Sequence, residues 1–247
     1  MSVFLFAYRD WAFRLARDLD QIDRIYTPPG YSAAAKSWFD EYIPPIREVD
    51  PKKLEALLGS QSLIPELNTF RKEENILLFY GWSWLVPPCL TDDYLCICLH
   101  PSPLPKYRGG SPIQNQVIAG ETTGGITLFK MGQGLDDGPI FTQRLISLDG
   151  SLSNILYQIQ SKGVTATAQL LHHWRNKTLV FEPQNESQAT WCKRRKPSDG
   201  QILPADTALE IYNKVRCLQD PYPNAFLVGA DGKKIFVKEV DYEQQKS

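Results

Sequence analysis

The sequence predicts an α/β protein with an open, mostly parallel β-sheet, followed by a small C-terminal α+β subdomain that contains a β-hairpin. Short apolar runs typical of buried strands alternate with longer stretches whose apolar residues recur at helical spacing. The chain has 247 residues, of which 43% are hydrophobic, so it can bury a substantial core in one large domain. Strands that alternate with helices favour a parallel sheet with helices packed on its faces.

The predicted elements begin with a strand and a helix at the N-terminus. An apolar run over residues 3–8 predicts the first strand, and Asp10 then caps an amphipathic helix. The pair Asp50-Pro51 predicts the start of another helix, because a proline at the first helical position leaves no backbone N–H without an acceptor. Further strands are predicted over residues 76–80, 95–100, 126–131 and 140–146, and further helices over residues 111–119 and 152–174.

The composition changes near Trp191, where four basic residues are followed by the turn-forming sequence Pro-Ser-Asp-Gly. We therefore predict a main domain over residues 1–190 and a small C-terminal subdomain over residues 191–247. The subdomain is predicted to contain a helix and then a β-hairpin that turns at Asp231-Gly232. A unit of this size is too small to hold a well-filled core of its own, so we expect it to pack on the main domain.

Charge and cysteine content exclude several classes of protein. The chain has 27 Lys+Arg, 28 Asp+Glu and a net charge of -1, so it lacks the basic surplus of a nucleic-acid binder. The first apolar run meets Arg9 and Asp10 too soon for a signal or membrane segment, and no later run approaches about 18 apolar residues. We therefore expect a cytoplasmic protein with no membrane partner. The five cysteines form no CxxC pair, and we expect neither a disulfide framework nor a metal site.

One predicted strand and two loops carry residues suited to acid–base chemistry. Cys98 and His100 end the strand two residues apart, so their side chains share one face of the sheet. A stiff loop rich in proline and glycine follows over residues 101–112, and a later loop holds Asp136 and Asp137. Ligands collect at the carboxyl ends of strands in open α/β sheets, so His100 and Asp136 are candidates for an acid–base pair. The chain has neither GxGxxG after its first strand nor a GxxxxGK[ST] motif, which disfavours dinucleotide and P-loop chemistry.

These residues resemble the signature of the formyltetrahydrofolate-dependent formyltransferases. The family pattern Asn-x-His-x-Ser-Leu-Leu-Pro-x-Tyr-Arg-Gly-x-x-Pro is similar to residues 98–112, Cys-Leu-His-Pro-Ser-Pro-Leu-Pro-Lys-Tyr-Arg-Gly-Gly-Ser-Pro. A later Leu-Asp-x-Gly loop of the family is similar to residues 135–138, Leu-Asp-Asp-Gly. The family's Tyr-Gly-x-x-Leu-Pro segment is similar to residues 80–87, Tyr-Gly-Trp-Ser-Trp-Leu-Val-Pro. The resemblance covers most of the chain and implies a Rossmann-like formyltransferase fold, with the catalytic domain over residues 1–190.

The resemblance implies a role for each of these segments. His100, Asp136 and Cys98 are then catalytic, with His100 donating to the developing oxyanion and Asp136 orienting His100 and relaying a proton. No metal takes part. The co-substrate N10-formyltetrahydrofolate is expected to contact Tyr80, Trp82, Ser83, Trp84, Leu85 and Asp136. The acceptor substrate is expected to contact Arg9, Lys106, Tyr107, Arg108, Gly109, Trp191, Arg194 and Tyr222. In this arrangement the arginines hold a diphosphate and an aromatic ring stacks on a base.

The acceptor that the resemblance favours is a nucleotide-linked amino deoxysugar. Residues 193–202 and 215–226 resemble the tail of sugar N-formyltransferases, and the chain shows neither the long basic extension of methionyl-tRNA formyltransferases nor the Gly-rich first loop of glycinamide ribonucleotide formyltransferases. We expect dTDP-4-amino-4,6-dideoxyglucose or a dTDP-3-amino-3,6-dideoxyhexose, used for O-antigen or other surface polysaccharide, and a homodimer formed through the C-terminal subdomain. GDP-perosamine, a UDP-amino sugar and methionyl-tRNA stay open as acceptors, as does a non-catalytic protein that binds folate or a sugar nucleotide.

Cys98 departs from the family pattern, because it stands where the signature has asparagine. A thiol is a weaker hydrogen-bond donor than an amide, so more of the oxyanion stabilisation is expected to rest on His100. The alternative is a nucleophilic thiol that carries the formyl group, which requires a lowered thiol pKa beside His100. Both roles stay open at the level of the sequence.

Overall fold

A computed structural model describes residues 1–19, 21–40, 42–58, 74–241 and 243, without the side chains of residues 55–58. The strands are β1 (Ser2–Phe6), β2 (Arg24–Thr27), β3 (Ile46–Glu48), β4 (Asn75–Tyr80), β5 (Leu95–His100), β6 (Arg108–Gly109), β7 (Thr123–Lys130), β8 (Ile140–Ser147), β9 (Trp191–Cys192), β10 (Ala225–Val228) and β11 (Lys234–Val237). The α-helices are α1 (Asp10–Leu19), α2 (Ser32–Lys36), α3 (Pro88–Thr91), α4 (Pro112–Ile118), α5 (Leu152–Arg175) and α6 (Ala208–Cys217). Short 3₁₀ helices cover Pro51–Leu58, Glu186–Gln188 and Pro197–Gly200. Among the residues described, no helix combines the length and the apolar composition that a membrane span requires.

Seven strands form one sheet in the order β3-β2-β1-β4-β5-β7-β8. Neighbouring strands from β3 to β5 run parallel, whereas β7 runs antiparallel to β5 and β8 runs antiparallel to β7. The predicted open, mostly parallel α/β sheet is therefore confirmed. Strands β2 and β3 were not predicted, because they have four and three residues and are too short to show a periodic pattern.

Both faces of the sheet are covered by packed side chains. Val3 and Leu5 of β1 join the core beneath α1 and α5, whereas the alternate residues Phe4 and Phe6 join a second cluster around Tyr26 on the other face. The central strand β4 is buried at every position. A strand covered on both faces reads as a continuous apolar run, which is why the sequence predicts it clearly.

The C-terminal residues pack against the main sheet. Helix α6 contacts α4, and Val215, Cys217 and Ala225 are buried in the same core cluster as the sheet. Strand β9 pairs with β6, and β10 and β11 form the antiparallel hairpin that the sequence predicts. The domain boundary between residues 190 and 191 stays a prediction.

Tyr80, the last residue of β4, lies in the core instead of facing a ligand as the resemblance implied. The alternation of side chains along β4 places Tyr80 on the same face as Ile76 and Leu78, beneath the helices. Its hydroxyl lies 2.9 Å from Oγ1 of Thr167 in α5. Burial raises the pKa of Tyr80, so the phenol stays neutral and the hydrogen bond joins sheet to helix.

Replacing Tyr80 by phenylalanine is expected to lower the free energy of unfolding by about 1–2 kcal/mol, because the buried Thr167 hydroxyl loses its partner. Chemical denaturation measures this loss. The matched control is Tyr157→Phe on the same helix, since Tyr157 is 66% exposed and its variant should match wild type within about 0.5 kcal/mol. Equal stability of the two variants would contradict the role given to the buried hydroxyl pair.

Candidate active site

A cavity of about 590 Å³ opens at the carboxyl ends of the parallel strands, the edge at which open α/β sheets bind ligands. The end of β5 contributes Cys98 and His100, and Asp136 reaches the cavity from the loop after β7. These three predicted catalytic residues are therefore brought together. Other lining residues include those of segments 81–86, 109–114, 131–135 and 192–194, together with Arg9, Phe79, Phe129 and Tyr222.

His100 is oriented by contacts at both ring nitrogens. Its Nε2 lies 2.9 Å from the backbone oxygen of Tyr107, and its Nδ1 lies 3.6 Å from Oδ2 of Asp136. Because a carbonyl oxygen can only accept, this hydrogen bond assigns the proton of the neutral ring to Nε2 and leaves a lone pair on Nδ1. The ring therefore presents a proton acceptor beside a carboxylate that stabilises the imidazolium once Nδ1 is protonated.

Asp136 lies in a left-handed backbone conformation, with φ 53°. Its side chain is only 16% exposed, and Oδ2 accepts a hydrogen bond of 2.8 Å from the N–H of Gly109. A non-glycine residue in this conformation carries strain of about 1–3 kcal/mol and persists where its surroundings hold it. The position of the carboxylate is therefore set by neighbouring loops.

Gly109 connects the segment after β5 to the loop of Asp136, and it can do so because glycine tolerates a positive φ. Its φ is +102°, and a Cβ atom there would lie 2.5 Å from the backbone oxygen of Cys192. Strands β6 and β9 pair at this point, which brings the two backbones together. The glycine thus allows the close approach and aims its N–H at Asp136.

The Cys98 thiol stays protonated in this environment. Burial, and after it the charge of Asp136, raise the pKa of Cys98 well above its usual value. The thiolate is the nucleophilic form of cysteine, so these surroundings disfavour a thiol that carries a covalent formyl group. They leave a neutral thiol that donates weakly from the cavity wall.

One wall of the cavity is aromatic and apolar. Trp82 packs edge-on against Phe79 and Trp84, with ring centroids 6.2 and 5.1 Å away, and Phe129 and Met131 extend this wall. The indole Nε1 of Trp82 is buried, and no residue in the described ranges accepts its hydrogen bond. This side of the cavity therefore offers aromatic rings and apolar side chains to a ligand, which suits a flat ring system.

Cationic side chains line another part of the cavity. The guanidinium carbon of Arg9 lies 4.4 Å from the ring centre of Tyr8 and 4.8 Å from that of Tyr222. No carboxylate among the described residues forms an ion pair with Arg9. Arg194 reaches the same cavity and donates to the backbone oxygen of Ser83 at 3.3 Å. Burial raises the pKa of Tyr222 although Arg9 opposes this shift, so its phenol stays neutral.

The structure brings most of the predicted contact residues to the cavity. Within the ranges described, no three histidine, cysteine, aspartate or glutamate side chains cluster as metal ligands. The predicted residues that line the cavity are Cys98, His100, Asp136, Trp82, Ser83, Trp84, Leu85, Arg9, Gly109, Arg194 and Tyr222. Those that do not line it are Tyr80, Lys106, Tyr107, Arg108 and Trp191.

The residues beside the cavity point in other directions for identifiable reasons. Tyr107 and Trp191 line a neighbouring surface groove, and Lys106 is exposed. Arg108 is turned into the protein, where it is 2% exposed and donates from Nη1 and Nη2 to Glu186 at 2.9 and 2.6 Å. A buried guanidinium requires acceptors for its donors, and these bonds remove it from the substrate-binding role that the resemblance implied.

Gln184 is a residue of the site region that the sequence analysis missed. Its Oε1 accepts hydrogen bonds of 3.1 and 2.8 Å from Nε and Nη2 of Arg108. Its Nε2 donates to the backbone oxygens of Asp136 and Gly138 at 2.9 and 2.8 Å. It lies in an irregular segment between α5 and β9, where no periodic pattern marks a residue, so only the fold identifies it.

Comparison with known proteins identifies relatives of this chain. The family model described as Formyl transferase matches residues 34–166. The methionyl-tRNA formyltransferase of Chloroflexus aggregans is 32% identical over 209 residues, which cover 83% of this chain and 63% of that protein. The chain thus spans less than two thirds of the length of this curated relative.

Solved structures share the fold over nearly the whole chain. A sugar N-formyltransferase from Shewanella superposes with a TM-score of 0.72 at 14% identity, covering 100% of this chain and 99% of that chain. HypX from Aquifex aeolicus in complex with tetrahydrofolic acid superposes with a TM-score of 0.71 at 16% identity, covering 97% of this chain and 37% of that chain. At these identities the similarity shows a common fold.

Gly109→Ala is expected to be more destabilising than an alanine substitution at an ordinary left-handed glycine. Gly120 provides the matched control, because its φ is +82° and a Cβ there meets nothing within 4 Å. Gly120→Ala should lose about 1–2 kcal/mol through backbone strain alone. Gly109→Ala should lose about 1–3 kcal/mol more, because its Cβ also meets the Cys192 backbone oxygen. Thermal and chemical unfolding of both variants measure the difference, and equal losses would contradict the close approach at Gly109.

Proposed function

Because the chain belongs to the formyl transferase family, we propose that it transfers the formyl group of N10-formyltetrahydrofolate to the amino group of a nucleotide-linked amino deoxysugar. Support comes from one cavity that holds a histidine–aspartate pair, an aromatic wall and an arginine without a carboxylate partner in the described part of the chain. Each of these three features matches one requirement of the reaction: proton transfer, donor binding and acceptor binding.

A folate donor fits the chemistry of the cavity. When bound, it supplies a formyl group on nitrogen that an amine can attack. The aromatic wall suits a flat heterocycle, which can pack against the rings of Trp82 and Trp84. HypX, which shares the fold, has been solved with tetrahydrofolic acid. We assign donor binding to Trp82, Ser83, Trp84 and Leu85, with Asp136 at the reacting end.

His100 moves the proton in this proposal. Its Nδ1 accepts the proton that the attacking amine loses, because its Nε2 proton is donated to the Tyr107 oxygen. Asp136 stabilises the imidazolium formed at that moment. The same Nδ1 then returns the proton to the leaving nitrogen, so one C–N bond forms, one breaks, and the protein keeps its charge. The resemblance implied that His100 donates to the oxyanion and that Asp136 relays the proton, whereas in this proposal the Nδ1 of His100 takes the proton.

The environment of Arg9 is the main support for the proposed class of acceptor substrate. Its guanidinium packs on Tyr8 and Tyr222, and no described carboxylate neutralises it. A guanidinium held in this way offers a planar fork of donors that matches phosphate oxygens. Arg194 and Lys193 line the same cavity and add positive charge. This concentration of charge in one cavity supports an acceptor that carries a diphosphate.

Methionyl-tRNA is the second candidate acceptor, since the relative that is 32% identical to this chain carries the name methionyl-tRNA formyltransferase. The net charge of -1 disfavours it, because a polyanion of that size is bound through many basic contacts. Among nucleotide sugars we propose the dTDP-linked 4-amino and 3-amino dideoxysugars of surface polysaccharides first, with GDP-perosamine and UDP-amino sugars as alternatives. A non-catalytic protein that binds folate or a sugar nucleotide is the remaining alternative.

We also propose a homodimer formed through the C-terminal subdomain. The hairpin of β10 and β11 exposes two apolar side chains on each of its faces, Leu227 and Ile235 on one and Val228 and Phe236 on the other, which supports a partner contact there. Leu227, Val228, Ile235 and Phe236 are 41%, 45%, 59% and 57% exposed.

An acceptor assay tests the proposed reaction. Purified protein mixed with N10-formyltetrahydrofolate and a dTDP-linked amino sugar is expected to give the formylated sugar nucleotide, detected by mass spectrometry. Methionyl-tRNA in its place should give no product. Arg9→Met should raise KM for the sugar nucleotide at least about tenfold, because a charge-assisted contact to phosphate is worth about 1.5–3 kcal/mol.

Two control variants sharpen this assay. Lys106→Met removes an exposed cation that does not line the cavity, and its KM should equal that of wild type. His100→Asn should bind both substrates and lose kcat by at least about 100-fold. Formylation of methionyl-tRNA without formylation of any sugar nucleotide would assign the second acceptor. Tight binding of donor and sugar nucleotide with no product would assign the non-catalytic alternative.

Substitutions at Cys98 test the part that the thiol plays in the transfer. Cys98→Asn should keep or raise kcat, because an amide is the stronger donor, whereas Cys98→Ala should lower kcat about 5- to 30-fold. Since the pKa of the thiol is raised, its ionisation should produce no step in the kcat profile between about pH 7 and 9. Two inactive variants, together with a formyl adduct on wild-type protein mixed with donor alone, would instead establish a covalent carrier.

A further inference from the structure

We infer that Gln184 is a positioning residue that holds the loop carrying Asp136 in the geometry needed for formyl transfer. Its effect on catalysis rests on the proposed function, whereas its effect on the loop rests on the structure alone. Gln184 does not line the cavity, so it acts through Asp136 and not on a substrate.

The amide of Gln184 is fully hydrogen-bonded in one orientation. Its Nε2 donates both protons, to the backbone oxygens of Asp136 and Gly138 at 2.9 and 2.8 Å. Its Oε1 accepts from Nε and Nη2 of Arg108 at 3.1 and 2.8 Å. A guanidinium only donates and a carbonyl oxygen only accepts, so reversing the amide would break all four bonds. The chemistry of the neighbours therefore fixes the side chain.

These bonds act on the strained part of the loop. Asp136 has φ 53°, a conformation that costs about 1–3 kcal/mol unless the surroundings hold it. Because Gln184 binds the oxygens of both residue 136 and residue 138, it fixes the peptide groups that follow Asp136 and Gly138, at the two ends of the segment 137–138. A loop released from this contact can relax, which moves the Asp136 carboxylate away from Nδ1 of His100, now 3.6 Å from it.

Arg108 and the residue after it help to hold both the backbone and the carboxylate of Asp136. The side chain of Arg108 donates to Gln184, and Gln184 donates to the backbone oxygen of Asp136. The N–H of the next residue, Gly109, donates to the Asp136 carboxylate at 2.8 Å. Glu186 anchors the guanidinium through two hydrogen bonds of 2.9 and 2.6 Å, and this pairing lowers the pKa of Glu186. The backbone and the carboxylate of Asp136 are thus both fixed relative to residues 108 and 109.

Gln184→Met tests this role, because it removes all four hydrogen bonds with little change in side-chain length. Gln158→Met is the matched control, since the half-buried Gln158 also bridges backbone groups, accepting from Ser147 N at 2.9 Å and donating to Ser147 O at 3.1 Å. Gln184→Met should lower kcat at least about tenfold while KM for each substrate changes less than about threefold. Gln158→Met should leave kcat and KM at their wild-type values.

A second readout does not require activity. The amide proton of Gly109 takes part in a charge-assisted hydrogen bond to Asp136, so its NMR resonance reports where the carboxylate lies. This resonance should shift in Gln184→Met and stay in place in Gln158→Met. If wild-type protein transfers no formyl group, the proposed function fails, and the Gly109 resonance still decides whether Gln184 positions the loop.

Two further variants guard against a simple folding defect. Gln184→Glu keeps an acceptor for Arg108 and loses the donor to the two carbonyls, so it should reproduce the effects of Gln184→Met. In an Asp136→Asn background, Gln184→Met should lower kcat no further, because both changes act on one group. A folded Gln184→Met or Gln184→Glu protein with wild-type kcat and an unshifted Gly109 resonance would overturn the inference. A further loss of kcat in the Asp136→Asn background would also overturn it, by showing an effect independent of Asp136.

Discussion

The hydrogen bond from the N–H of Gly109 to the carboxylate of Asp136 is the contact on which the site depends. The two residues are 27 positions apart, Gly109 in the short strand β6 that follows β5 and Asp136 in the loop that follows β7. Asp136 has given up most of its contact with water, and a carboxylate withdrawn from water needs donors in its place. The Gly109 N–H supplies one at 2.8 Å, and the His100 ring supplies another once Nδ1 is protonated. The carboxylate thereby stays beside the imidazole that it is proposed to stabilise.

The sequence predicts the positions of His100 and Asp136 because each follows from the residues next to it in the chain. A continuous apolar run identifies β5 as a strand covered on both faces, and His100 ends it, so its place at the sheet edge follows directly. The proline and glycine residues of the following loop exclude a helix, and the second loop places Asp136 after a predicted strand. Strands β2 and β3 carry no comparable signal, because short segments show too little of any period.

The sequence does not show where a side chain points when residues far along the chain determine its direction. Arg108 and Gly109 are adjacent in β6 but face different parts of the protein. Gly109 lines the cavity, whereas the side chain of Arg108 is hydrogen-bonded to Gln184 and Glu186, which lie 76 and 78 positions later. A motif read as a continuous stretch assigns both residues to the substrate. In the folded protein only Gly109 lines the cavity, and Arg108 binds Gln184 and Glu186 behind it.

The charge of the site explains how cysteine is accommodated at position 98. A thiolate there would place a second negative charge near Asp136 in a buried setting, and burial together with that carboxylate keeps the thiol neutral. The site therefore keeps one negative charge, as it would with an asparagine, but has one weaker donor. In the proposed reaction, the positive charge that must balance the developing oxyanion then arises on His100 after it takes the amine proton. In this proposal, proton acceptance and oxyanion stabilisation are successive tasks of one ring. The contacts from Tyr107, Gly109 and Gln184 hold that ring and its carboxylate partner in place.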